Sequence, residues 1–191
     1  MLQYLQHIDE KIFLYLNGLH SPFLDVVMAW ISGNSSWLPL YLFLICWIIY
    51  RKMVKGIWVV FCTLLLFAFT DFTSVHLFKE VFERLRPSHN PDLEDLIHLV
   101  NGYRGGSFGF ISSHAANTFG MATFISLVFK EKWLVILLLT WAAVVSYSRI
   151  YLGVHYPFDI VGGAVWGSGL AFGMYKIYHV VFYRRNHSTG T

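Results

Sequence analysis

Apolar residues run through this chain in blocks separated by short polar and charged breaks. Over residues 4–20, Leu5, Ile8, Ile12, Leu16 and Leu19 recur at helical spacing among His, Asp, Glu and Lys. That pattern predicts an amphipathic helix lying on a bilayer. Ser21-Pro22 breaks it. Residues 23–33, with Asp25 near their start, are apolar but too short to span alone, and predict an interfacial or re-entrant helix. Five longer blocks follow: Trp37–Tyr50, Ile57–Phe78, Ser112–Phe129, Trp133–Ser148 and Pro157–Tyr183. A crossing takes about 20 residues at ~1.5 Å each, so the shorter blocks must tilt or extend into their flanks. The fifth carries Gly162, Gly163, Gly167, Gly169 and Gly173. Small residues at such spacing let helices approach closely in lipid.

The expected fold is therefore all-α. It is a polytopic membrane helical bundle of five or six transmembrane helices with an N-terminal amphipathic interfacial helix. Residues 1–33 would form the N-terminal amphipathic and interfacial helices, 34–183 the membrane domain and 184–191 a tail. A hydrophobic content of 56% agrees with membrane residence. Met1 to His20 does not read as a cleavable signal peptide, because Asp9, Glu10 and Lys11 interrupt the stretch that would have to be apolar. Cys46 and Cys62 both lie inside apolar blocks and read as small buried hydrophobes. Lys and Arg flank the apolar blocks instead of forming one basic stripe, which argues against a nucleic-acid partner.

The placement of those cations gives a topology. Arg51, Lys52 and Lys55 follow the first block, Lys130 and Lys132 follow the third, and Arg184 and Arg185 follow the fifth. Alternate crossings put all three groups on one side, which the positive-inside rule makes cytoplasmic. Loops 79–111 and 149–156 then share the opposite side.

Every candidate catalytic residue lies in or beside those two loops. Lys79 and Arg86 are seven apart, two helical turns, and Pro87 follows at once. Ser112 and Ser113 suit the cap of the third block, where free N–H groups and the helix dipole favour phosphate, and His114 stands at its mouth. Arg149 ends the fourth block. His155 and Asp159 are four apart and can face each other across one turn, with Pro157 suited to the first turn of a helix. A carboxylate beside an imidazole fixes its tautomer and supports its positive charge. Phosphoryl transfer needs cations around the equatorial oxygens, an in-line nucleophile and an acid for the leaving oxygen. No group of Asp, Glu or His has metal-ligand spacing, so neither metal nor cofactor is expected.

These three clusters resemble the signature of the type 2 phosphatidic acid phosphatase superfamily, which also includes the vanadium haloperoxidases. The family pattern is Lys, six residues, Arg-Pro; then Pro-Ser-Gly-His; then Ser-Arg, five residues, His, three residues, Asp. Lys79 with Arg86-Pro87, and Ser148-Arg149 with His155 and Asp159, keep the spacing. In the central motif Ile111 and Ser113 replace proline and glycine, while Ser112 and His114 stay. The resemblance covers about residues 57–180.

It implies that His155 is the nucleophile, forming a phosphohistidine, with Asp159 orienting it. His114 would be the general acid and then the base that activates water. Lys79, Arg86 and Arg149 would hold the phosphate oxygens, with Ser112 donating through its hydroxyl and Ser113 mainly through its backbone N–H. The implied activity is a metal-independent lipid phosphate or pyrophosphate phosphatase in a bacterial inner membrane, its site facing the periplasm or exterior. Undecaprenyl pyrophosphate is the first substrate to expect. Lipid A, phosphatidylglycerophosphate and phosphatidic acid are the others. A lipid phosphotransferase would use the same residues, and a headgroup-binding transporter would need only the cations. Outside the motifs, Asp71 is an ionisable group within a span, Asn117 lies one turn after His114, and Tyr103-Arg104-Gly105-Gly106 could form a lid.

Overall fold

In the computed structural model of the chain, residues 2–183 are described; Met1 and the tail 184–191, with Arg184 and Arg185, lie outside them. The helices are α1 (Leu2–Asn17), α2 (Pro22–Ser32), α3 (Leu38–Lys52), α4 (Val54–Thr73), α5 (Glu80–Phe82), α6 (Ser113–Phe129), α7 (Lys132–Tyr151) and α8 (Pro157–Tyr183). Among the described residues there is no strand, and only one isolated antiparallel bridge, Leu85 with Phe108. The all-helical class agrees with the sequence pattern. By length and composition Val54–Phe82 and Lys132–Tyr151 can each cross a membrane, and α1 with α2 forms a pair bent by 116° that could count as a third.

The breaks have local causes. Ser21 Oγ accepts the amide of Leu24, and Pro22 occupies the first turn of α2, where its missing N–H costs nothing. Ser112 Oγ accepts the amide of Ala115 and caps α6, whose other end closes on Lys130 in the left-handed conformation. A π-helical stretch, Ser74–Lys79, joins α4 to α5. Arg51 Nη2 donates to Glu131 Oε1 at 2.6 Å, so the α3–α4 and α6–α7 turns share one end of the bundle. The site described below occupies the other.

Helices α6 and α8 pack at backbone contact. A Cβ on Gly167 would stand 2.0 Å from the carbonyl oxygen of Ala116, and one on Gly163 2.5 Å from that of Ser112. Backbone cannot yield as a side-chain tip can. Gly167→Ala is therefore expected to cost about 1–3 kcal/mol of stability, read as a lower unfolding temperature in detergent.

The first helix turns a mixed stripe towards the rest of the protein. The stripe facing the protein is Asp9, Phe13 and Asn17, all buried, whereas Leu5, Ile12 and Leu19 are exposed. The physical reason is that polar partners elsewhere in the chain claim two of these positions. Asn17 Nδ2 donates to the carbonyls of His98 and Tyr151, and its Oδ1 accepts the His98 amide. Phe13 packs edge-on against Tyr156, with ring centroids 5.4 Å apart.

Candidate active site

The ends of α2, α3, α4, α6 and α7 and two loops converge on a cavity of about 480 Å³. Its walls include Lys79, Arg86, Ser113, His114, Arg149 and His155, with Asp71 and Asn117 deeper in the helices. Lys79, Arg86, Ser113, His114, Arg149 and His155 are thus brought together from three distant segments. Asp159 is fully buried beside His155. Ser112 is also fully buried; its Oγ serves as the α6 cap, and its amide donates to the carbonyl of Asp159 at 3.0 Å.

The polar contacts define which atoms remain available. Lys79 Nζ donates to Ser113 Oγ at 2.6 Å, and Ser74 Oγ lies 2.6 Å from the same hydroxyl. The Ser113 side chain, beyond its backbone, therefore anchors a cation. Arg86 Nε donates to the Phe108 carbonyl at 3.0 Å, in the segment paired through the Leu85–Phe108 bridge. Arg149 Nη1 donates to Ser32 Oγ, and Nη2 to the Tyr103 hydroxyl at 3.3 Å. Arg149 Nε is buried with no partner among the described residues. A buried donor of that kind is costly until an acceptor arrives.

His155 and Asp159 meet as their spacing requires. His155 Nδ1 lies 3.3 Å from Asp159 Oδ2, which also accepts the Tyr156 amide at 3.0 Å. An ionised carboxylate only accepts, so the proton sits on Nδ1 and the lone pair on Nε2. Gly109 makes this fit possible: a Cβ there would stand 2.9 Å from Asp159 Oδ2. Burial, with Arg86, Arg149 and Lys79 adding positive charge around it, holds the His155 imidazole well below the ordinary histidine range.

That shift fixes the sign of a stability effect. With the folded value depressed, the unfolded chain takes up a proton below about pH 6.5 that the folded chain refuses. Stability from this group is present above that pH and is lost as pH falls towards the folded value. In phosphate-free detergent, the loss of stability on acidification is expected to be shallower in His155→Asn than in wild type. The difference should approach one proton, about 1.4 kcal/mol per pH unit. Equal slopes would mean that His155 is not held neutral.

Several participants had not been picked out from the sequence. Arg84 reaches Asp159 Oδ1 at 2.9 Å and Asp9 Oδ2 at 2.7 Å. Ser32 and Ser74 hold Arg149 and Ser113, as above. Arg84 sits inside the six-residue gap between Lys79 and Arg86, which was a signal; Asp9, beside Glu10 and Lys11, gave none. Asn117 bonds Thr70 of α4 through its Oδ1, which is helix packing. Tyr103, half-exposed, places its ring 5.5 Å from the Arg149 guanidinium, so the loop bearing it does form part of the cavity wall. Among the described residues no group of three or more His, Cys, Asp or Glu could hold a metal ion.

Known proteins share this arrangement of sequence and fold. The family model described as the PAP2 superfamily matches residues 55–183. A lipid A 4'-phosphatase of Bacteroides thetaiotaomicron is 39% identical over 196 residues, covering 99% of this chain and 85% of its own. A lipid A 4'-phosphatase of Porphyromonas gingivalis is 36% identical over 178 residues, covering 93% and 75%. Among solved structures, a transmembrane PAP2-type phosphatidylglycerolphosphate phosphatase from Bacillus subtilis is similar with a TM-score of 0.70 and 29% identity, over 95% of this chain and 89% of that one.

Proposed function

The chain belongs to the PAP2 superfamily, and from that premise we propose that it removes phosphate from a lipid A-type glycolipid through a phosphohistidine at His155. It is an integral membrane lipid phosphatase, a hydrolase. The observation that carries the mechanism is a single cavity lined by Lys79, Arg86, Arg149, His114 and His155, with Arg149 Nε buried and without a partner among the described residues.

In the first step His155 Nε2 attacks phosphorus and the bond to the lipid oxygen breaks, while His114 gives that oxygen a proton. Lys79, Arg86 and Arg149 hold the three equatorial oxygens, where charge spreads in the transition state. Asp159 balances the imidazolium that results. In the second step His114 takes a proton from water, the water oxygen attacks phosphorus, the P–N bond breaks and phosphate leaves. The cations supply the charge a metal would otherwise provide.

The two relatives named as lipid A 4'-phosphatases support the substrate. So does a second chamber of about 300 Å³, which shares His114, Arg149, Tyr103 and Ser32 with the first and adds Asn101. A leaving sugar would fit there, beside the proposed acid. Five helices, α3, α4 with α5, α6, α7 and α8, would span the membrane as residues 34–183. The α1–α2 pair over 1–33 would sit at the active-site end, with loops 79–111 and 149–156. The basic turns tied by Arg51 and Glu131 favour a cytoplasmic face at the other end. The site then opens to the periplasm from a bacterial inner membrane.

The test is phosphate release in detergent, with EDTA present, from lipid A bisphosphate, undecaprenyl diphosphate, phosphatidylglycerophosphate and phosphatidic acid. Release fastest from lipid A and indifferent to EDTA is expected. Faster turnover of undecaprenyl diphosphate would move the substrate to the polyprenyl lipid. Phosphate appearing on an acceptor lipid would make the enzyme a transferase, and dependence on a divalent ion would sink the metal-free mechanism.

A further inference from the structure

The family match begins at residue 55, yet helix α1 sends a carboxylate into the site. Asp9 is fully buried. An ion there needs close partners, because burial strips its water. It has two. Asp9 Oδ1 accepts the amide of Phe158 at 2.9 Å, one of the free N–H groups in the first turn of α8. Asp9 Oδ2 accepts from Arg84 Nη2 at 2.7 Å. The other arm of the same guanidinium, Nη1, donates to Asp159 Oδ1 at 2.9 Å, and the plane stacks on Tyr156 at 4.2 Å. Asp159 Oδ2 faces His155 Nδ1. One guanidinium thus bridges two buried carboxylates, the first from α1 and the second against the nucleophile.

We propose that Asp9 and Arg84 are positioning residues, and that helix α1 completes the phosphoryl-transfer site by fixing Asp159 against His155. The inference rests on the roles given to His155 and Asp159.

Charge counting says why two carboxylates are needed. Arg84 and Asp159 alone form a neutral pair, which gives little support to an imidazolium. With Asp9 the triad carries one net negative charge, and that charge is balanced when His155 takes on its phosphoryl group. Arg84 meanwhile keeps Asp159 ionised in a site where burial would otherwise favour its protonated form. The forked guanidinium also fixes the carboxylate plane, which a lysine could not do with a single ammonium.

Full-length wild type, Asp9→Asn, Arg84→Lys, Asp9→Leu with Arg84→Met, and His155→Ala would be compared on lipid A bisphosphate, or on undecaprenyl diphosphate if wild type prefers it. Asp9→Asn keeps an oxygen for the Phe158 amide, so α8 stays capped. Its kcat is expected to fall ten- to a hundredfold with KM within threefold. Arg84→Lys should lose a similar factor while keeping the acid limb of kcat/KM in place. The apolar double variant removes Asp9 together with its own ionic partner, and leaves Asp159 to the Tyr156 amide and His155 Nδ1. Its kcat should stay low, and its acid limb should move to higher pH by a unit or more. Wild-type kcat in Asp9→Asn, or a double variant with a normal pH profile, would reduce the bridge to a structural tie and overturn the proposal. If His155→Ala retained activity, the nucleophile assignment itself would fall, and this inference with it.

Discussion

Alanine at position 155 is expected to lower phosphate release by roughly four orders of magnitude, to the level the cations alone can sustain. The loss should fall on kcat. Lys79, Arg86 and Arg149 keep their places in the variant: Lys79 is held by Ser113, Arg86 by the Phe108 carbonyl and Arg149 by Ser32 and Tyr103. None of these tethers runs through His155, so lipid should still bind and KM should move little. Wild type incubated briefly with radiolabelled lipid and quenched in alkali should retain label on the protein, since a phosphohistidine survives base better than acid. His155→Ala should retain none. Equal release by the two proteins, or label that persists in the variant, would end the phosphohistidine reading and leave the cavity as an anion site.

The separation between binding and chemistry reflects how the site is assembled. Most of its motif residues were legible because they are tied to helix ends, with Arg86 and His155 in the loops beside them. Lys79 lies near the end of the α4–α5 rod, Ser113 and His114 in the first turn of α6, Arg149 in the last turn of α7 and Asp159 in the first turn of α8. Apolar blocks locate helix ends, and spacing then tells which side chains share them. What could not be read was partnership across long sequence distances. Asp9 and Arg84 are 75 residues apart, as are Arg84 and Asp159. Periodicity on α1 marked Leu5, Ile12 and Leu19 as a face for the bilayer, and did not single out Asp9, Phe13 and Asn17, which the fold turns inward, where Asp9 and Asn17 accept the amides of Phe158 and His98. In lipid an apolar stripe gains nothing by facing the protein, so hydrophobic patterning loses its usual power to say which face is inside. Ser113 follows the same rule. Its backbone was legible as a cap, but its grip on Lys79 depended on where α4 lay.

Asp159→Asn is expected to lower kcat by about a hundred- to ten-thousandfold while leaving the protein folded and KM within threefold. The three groups that meet this carboxylate are all donors. Arg84 Nη1 approaches Oδ1, while the Tyr156 amide and His155 Nδ1 approach Oδ2. Asparagine offers one acceptor and one donor, so no orientation satisfies them all. If its oxygen faces Tyr156 and His155, its amide opposes the guanidinium and the link to Asp9 is broken. If its oxygen faces Arg84, its amide opposes Tyr156 N–H, and His155 must turn Nδ1 into an acceptor. The proton then moves to Nε2, and the nucleophile loses its lone pair. Both arrangements also remove the charge that would balance the imidazolium, so slow formation of the covalent adduct should accompany the low kcat in single-turnover measurements. Lipid binding should persist, because Asp159 faces Arg84 and His155, away from the three phosphate-holding cations. A near-normal kcat would show that His155 is oriented by something other than Asp159. A raised KM with normal kcat would place Asp159 in substrate binding instead.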